Sequence, residues 1–407
     1  MAARFPFTAS PLKVPPLRAA SSGLTGHIPA LDGIRGLAIL MVTAFRFNIG
    51  PACDWLPGRW LFAALKHGDL GVTLFFVLSG FLITGILFDA KGEGHYFRNF
   101  YVRRALRIFP LYYGCLFVAL VALPFLFGPR GDLFPEARAN QVWLWLYGAN
   151  FLMAFRNDWC LGSFTHFWSL SIEEQFYLFW PLVIFFCSRR QALRVSLIAI
   201  VVSMLGRVAW IAAGGPEVAI DVLTFLRLDA LALGSLLALA ARQPNGIRPL
   251  VRWAALAGGI CIATILVAAC LHHERLFGLS TAMIAGFFGA LLMLAVAARP
   301  STWWGAIWRS PVLAFFGKYS YAMYVFQLPL IRLLAPIVTP EGLCYRLGSV
   351  FAGRVTYIAV MMTITTGAAI VSWNLYEKHF LALKARFEPR PMADEAHPTA
   401  GVVPVSV

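Results

Sequence analysis

Residues 68–87 read GDLGVTLFFVLSGFLITGIL, twenty positions in which Asp69 is the only charged side chain. A run of that kind has the length an α-helix needs to cross about 30 Å of hydrocarbon. Comparable stretches recur along the 407 residues at roughly 31–49, 107–128, 168–187, 192–213, 219–241, 250–271, 277–297, 312–337 and 350–376. The chain is 59% hydrophobic and 13% charged, against about 45–50% and about 25% in an ordinary soluble domain. A water-soluble globule is excluded. The reading is an all-α, polytopic membrane helix bundle of about ten transmembrane helices. The segment 140–156, with QVWLWLYGANFLMAF at its centre, is apolar but short and Trp-rich, which predicts an interfacial or re-entrant helix. The membrane domain is expected over 31–380. Residues 1–30, which lack the apolar core of a signal peptide, and 381–407, with four prolines, are expected to be disordered tails.

The net charge of +15 fits nucleic acid or, where cations flank apolar spans, membrane topology. No basic run interleaved with aromatics lies outside the membrane boundaries, so nucleic acid is set aside. With a cytoplasmic N-terminus, about 21 Lys and Arg residues fall on inside segments and about 7 outside. That bias predicts cytoplasmic termini in a multi-pass cell (inner or plasma) membrane protein. The seven cysteines have no CxxC spacing, so neither a zinc site nor a disulfide framework is indicated.

An ion at mid-bilayer costs about 2.5–3.5 kcal/mol on insertion scales, so embedded polar groups need a reason. In LDGIRGLAILMVTAFRFN (31–48), Arg35 and Arg46 are eleven residues apart, close to a whole number of turns, and are expected along one interior strip. The bland alternative makes both of them snorkelling interface anchors. Ser79, with Gly71 and Gly80, is either functional or an ordinary helix-contact residue. In FRNFYVRRALRIFPLYY (97–113), Arg103, Arg104 and Arg107 form a cationic cluster at the expected cytoplasmic start of the third helix. It suits lipid phosphate and equally the 3′-phosphate and pyrophosphate of coenzyme A, which guanidinium groups clamp bidentately. In THFWSLSIEEQFYLFWPL (165–182), Ser171 and Glu174 have capping-box spacing, but Glu173 and His166 add a second carboxylate and an imidazole, a set able to move protons. Two further polar strings are RLDALALGSLLAL (227–239), with Arg227 and Asp229, and KYSYAMYVFQLPL (318–330), with Ser320, Tyr324 and Gln327.

Read together and in order, these strings, with YEKHFLALK (376–384), resemble the membrane acyltransferase 3 family over about 31–380. That resemblance implies transfer of an acyl group, usually acetyl, from cytoplasmic acyl-CoA as co-substrate to a hydroxyl of a glycan, surface polysaccharide or lipid-linked acceptor, with no metal. It matches Arg35 to the family's helix-1 arginine, Arg104 and Arg107 to its R-x-x-R pair and Glu173 to its W-S-L-x-x-E-E glutamate. Arg103 adds a third cation. It also implies a stand-alone membrane module, without the hydrolase-like domain that some members append. The oxyanion formed on the thioester is expected to find donors in Arg35 or a hydroxyl.

Three positions depart from the family pattern. Arg46 stands where a histidine is usual, and an arginine cannot serve as a base. Thr73 replaces a common aspartate, and Gln327 replaces a common histidine. Either His166 or Glu173 has become the base, or the chemistry is lost and acyl-CoA or glycan binding persists. A multi-pass transporter is a further alternative.

Overall fold

The computed structural model describes residues 27–270 and 277–387. Positions 1–26, 271–276 and 388–407, which hold most of both expected tails, lie outside the described residues. All ten apolar segments form long helices: α1 (Pro29–Phe47), α2 (Leu70–Asp89), α3 (Tyr96–Phe117), α4 (Phe167–Phe186), α5 (Arg189–Ala212), α6 (Thr224–Ala241), α7 (Arg248–Cys270), α8 (Phe277–Ala297), α9 (Pro311–Leu334) and α10 (Val350–Ser372). No strand occurs among the described residues. Six stretches have the length and apolarity to cross a bilayer, namely Leu56–Asp89, Tyr96–Phe127, Arg189–Ala212, Glu217–Ala241, Arg248–Val267 and Val350–Leu383. α1, α4 and α9, of 19, 20 and 24 residues, carry ionisable side chains inside the helix, among them Arg35, Glu173 and Lys318.

Two boundaries differ from expectation. α3 begins at Tyr96 rather than near 107 and runs on through a π-turn, Val118–Ala122, to Phe127. Arg104 and Arg107 therefore lie two to three turns inside a helix and not at its start. At the C-terminal end, a π-turn and helix carry the fold past α10 to Leu383, and a 3-10 turn ends at Phe387.

Segment 140–156 is broken into Gln141–Trp145 and Ala149–Arg156, with Tyr147 between them at positive φ. Neither piece is long enough to span. The Tyr147 ring stacks on Tyr112 of α3 at 4.2 Å, and the Tyr112 hydroxyl donates to the Leu144 carbonyl at 2.7 Å. The broken segment thus roofs the α3–α4 end of the bundle.

The centre is set by glycines. A Cβ on Gly80 of α2 would stand 1.9 Å from the Leu231 carbonyl oxygen of α6, and one on Gly234 of α6 would stand 2.0 Å from that of Val77. α1 meets the start of α9 the same way, since a Cβ on Gly36 would lie 2.0 Å from the Leu313 oxygen and one on Gly317 would lie 2.1 Å from the Asp32 oxygen. Backbone-to-backbone approach of this kind is how helices bind without a hydrophobic driving force between them. α3 is fastened differently, through tyrosine hydroxyls that donate to carbonyls: Tyr101 to Leu178, Tyr321 to Ile108 and Tyr376 to Pro110, at 2.7, 3.0 and 3.2 Å.

These seams fix which ends share a face. The α1 N-terminus lies with the start of α9. The 89–96 turn lies with the α4–α5 connection, since Lys91 Nζ donates to the Cys187 carbonyl at 2.6 Å, and Arg242 at the end of α6 closes on Asp89 at 2.6 Å. Gly68, just before α2, packs on Met41 and Phe45 near the other end of α1. α1 and α2 are therefore antiparallel, and the α2 C-terminus is on the side of the α1 N-terminus.

The glycine seams should tolerate no methyl group. Gly80→Ala is expected to cost ~1–3 kcal/mol through overpacking and to lower the melting temperature in detergent. Gly367→Ala on α10, where nothing lies within 4 Å of an added Cβ, should melt at or slightly above the wild-type temperature. Equal melting for Gly80→Ala and the parent chain would contradict the packing described.

Candidate active site

Along α4, Ser169, Glu173 and Tyr177 follow one another at intervals of four residues and so share a face. That face looks onto α2, where Ser79 sits one position before the Gly80 contact. The Ser79 hydroxyl donates to Glu173 Oε1 at 2.6 Å, and its oxygen lies 2.8 Å from the Tyr177 hydroxyl. From α3, the Arg104 guanidinium stacks 4.0 Å above the centre of the Tyr177 ring, and its buried Nε has no hydrogen-bond partner. α1 contributes Arg35, which is held by Asp32 one turn earlier at 3.2 Å; Asp32 in turn bonds His27 at 2.6 Å.

Ser79, Glu173, Arg104 and Arg35 line one cavity of about 180 Å³. Its charged and polar wall is Arg35, Ser79, Arg104, Arg107, Glu173, Glu174, Ser169, Ser320, Tyr321 and Tyr324. The rest is apolar, including Val72, Phe76, Leu82 and Ile83, and Ile86 at the rim is 44% exposed. Arg35 and Ile86 place the cavity toward the face that carries the α1 N-terminus. Three guanidinium groups and two carboxylates converging inside apolar helices are costly to keep for packing alone, and the set can hold an anion and transfer a proton.

The sequence-derived candidates divide. Arg35, Ser79, Arg104, Arg107 and Glu173 come together in the cavity. Arg103 does not join them, because its Nε turns back to the Asn99 carbonyl at 3.2 Å. Arg46 lies outside the lining, its guanidinium 5.0 Å from the Phe45 ring, so the strip expected to join it to Arg35 is interrupted. His166 is fully buried beyond the cavity, its ring against Phe167 and Tyr324 and neither ring nitrogen bonded to a side chain. Tyr324 forms the partition: its hydroxyl donates to the His166 carbonyl at 3.0 Å and lies 2.5 Å from Ser169 Oγ.

The capping-box reading fails for a local reason. α4 starts at Phe167, so Ser171 sits inside the helix with its hydroxyl on the Phe167 carbonyl at 3.1 Å, and Glu174 is free to face the cavity. Tyr177 was missed, although its spacing of four from Glu173 places it on the same face. Arg227 and Asp229 belong to a brace. Arg207 of α5 pairs with Asp229 at 2.6 Å and donates to the Leu226 carbonyl, while Arg227 donates to Thr73 at 3.2 Å. Thr73 is thus the hydroxyl partner of a buried arginine. Gln327 is fully buried, and neither amide atom has a partner. No group of His, Cys, Asp and Glu suited to a metal ion occurs among the described residues.

Residues 28–374 match the family model described as an acyltransferase domain, that of acyltransferase 3. The chain belongs to the acyltransferase 3 family. Among curated relatives, the family member named peptidoglycan O-acetyltransferase OatA from Listeria monocytogenes is 27% identical over 330 residues, covering 77% of this chain and 50% of its own length. O-acetyltransferase OatA from Staphylococcus aureus is 27% identical over 332 residues, covering 75% of this chain and 51% of its own. The chain thus spans about half the length of these relatives. No solved structure matches it with significance.

The brace makes a stability prediction separate from activity. Arg207→Met leaves Asp229 buried without its partner and should cost ~3–5 kcal/mol, whereas the double change with Asp229→Leu should recover most of that loss. Thermal unfolding in detergent distinguishes the two, and a double variant no more stable than the single one would refute the pairing.

Proposed function

We propose that the chain is an integral membrane O-acyltransferase that carries an acyl group from acyl-CoA to the hydroxyl of a glycan or lipid-linked acceptor. The observation that supports this most directly is that Arg35, Arg104, Arg107 and Glu173 share one cavity. Guanidinium groups suit the phosphates and the developing oxyanion of a thioester donor. A carboxylate in a largely apolar pocket suits removal of a hydroxyl proton. The cavity lies toward the α1 N-terminal face, which the Lys and Arg distribution assigns to the cytoplasm, so donor entry from inside the cell is consistent with charge as well as shape. That assignment takes ten spans, both termini cytoplasmic and the cell membrane as location. The relatives, named O-acetyltransferases and in one case a peptidoglycan O-acetyltransferase, favour acetyl as the group and a peptidoglycan hydroxyl as acceptor. In this reading Glu173 is the base, while His166 lies behind Tyr324 and Arg46 lies outside the cavity lining.

Reconstitution with radiolabelled acetyl-CoA and peptidoglycan fragments tests the reading. Glu173→Gln should lower label transfer by about 10²–10⁴-fold, the span general-base catalysis commonly supplies. The Arg104→Ala/Arg107→Ala pair should abolish both transfer and the stabilisation of the protein by acetyl-CoA against heat. Arg46→Ala should retain transfer within a few-fold. Transfer undiminished in Glu173→Gln, or donor stabilisation undiminished in the arginine pair, would remove the assignment.

A further inference from the structure

Ser79 is bonded unlike several packing hydroxyls of this bundle. Thr43, Ser196, Ser235 and Thr366 each donate to the carbonyl four residues back in their own helix, at 2.7 to 2.9 Å. That is the usual way a hydroxyl is satisfied within a membrane helix. Ser79 instead gives its proton across the α2–α4 interface to the Glu173 carboxylate at 2.6 Å. A serine hydroxyl has one proton and two lone pairs. With that proton on Glu173, the 2.8 Å contact must run from the Tyr177 hydroxyl to Ser79 Oγ. Oγ therefore has a base on one side and a neutral donor on the other, and Arg104 on the ring of that donor. A nucleophile within hydrogen-bond reach of a base is the arrangement that activates a weak hydroxyl.

We propose that Ser79 is the covalent carrier of the acyl group, so that transfer takes place in two half-reactions. This rests on the acyltransferase reading above and deepens it. In the first, Glu173 takes the Ser79 proton as Oγ attacks the thioester carbonyl. The carbon–sulfur bond breaks, the proton passes to the leaving thiolate, and acyl-Ser79 and CoA result. In the second, Glu173 takes the proton of the acceptor hydroxyl, whose oxygen attacks the acyl-Ser79 carbonyl. The bond to Oγ breaks and the proton returns to Ser79. Guanidinium groups of the same cavity stand ready for the oxyanion in both steps. A carrier fixed at Ser79 lets CoA depart before the acceptor arrives, and so removes any need for both large substrates to fill about 180 Å³ together.

The experiment uses the full chain in proteoliposomes with acetyl-CoA and radiolabelled free CoA, without acceptor, followed by mass spectrometry of the peptide that contains Ser79. The wild type should exchange label into acetyl-CoA and carry one acetyl on Ser79. Ser79→Ala should lose exchange, and transfer to peptidoglycan fragments, by at least about a hundredfold, while acetyl-CoA still raises its melting temperature. Ser79→Cys should keep exchange and hold the acetyl as a hydroxylamine-labile thioester, which a merely structural hydroxyl would not explain. Wild-type transfer to peptidoglycan fragments without exchange or an acetylated peptide would overturn the carrier and leave the acyltransferase reading intact. Ser79→Ala retaining more than a tenth of wild-type transfer would do the same. Absence of exchange and transfer together would overturn both.

Discussion

Hydrocarbon offers no water to a backbone amide or a side-chain ion, and in this chain that shortage organises nearly everything else. Each segment that enters the apolar layer is helical because only an internal hydrogen-bond ladder satisfies its backbone. Glycines then let helices touch through backbone atoms, with Gly80 against Leu231 and Gly36 against Leu313 as the closest seams. Ions follow the same rule. Arg207 and Asp229 neutralise each other, Arg227 finds Thr73, and the remaining cluster of three arginines and two glutamates gathers around a cavity.

The contrast between the two charged clusters separates structure from chemistry. In the α5–α6 brace, the Arg207 guanidinium forms an ion pair with the Asp229 carboxylate and donates to a carbonyl, and both Arg207 and Asp229 are buried. In the cavity, neither Arg104 nor Arg107 takes part in an ion pair among the described residues. Charge that is matched holds helices together, and charge left partly unmatched is available to a substrate.

Much of this was legible in the sequence. All ten helices follow from runs of apolar residues, and the glycines of GDLGVTLFFVLSG mark a helix that must be approached closely. Ser79, Arg104, Arg107 and Glu173 stood out as polar groups in apolar surroundings, and they do share a cavity with Arg35. What failed was depth. Spacing puts Arg46 on the Arg35 side of α1, but rotational phase along one helix does not say how far along that helix the cavity reaches, and it stops short of Arg46. The start of α3 was misplaced because Arg98, Arg103 and Arg104 interrupt hydropathy without interrupting the helix. Ser171 and Glu174 have the spacing of a cap, but the helix starts one turn earlier, at Phe167, with no side-chain cap.

The two ways of joining helices differ in how they yield. A glycine crossing is a rigid joint, since backbone carbonyls cannot slide past each other without the whole helix moving. A tyrosine hydroxyl on a carbonyl contributes about 0.5–1.5 kcal/mol net and can be exchanged for another acceptor. α3 is held by bonds of the second kind, and it also carries Pro110 and a π-turn, where helices bend. Compliance in this bundle is thus concentrated in the one helix that bears Arg104 and Arg107, and any widening of the cavity to seat a bulky donor falls to that helix while α1, α2, α6 and α9 keep their geometry.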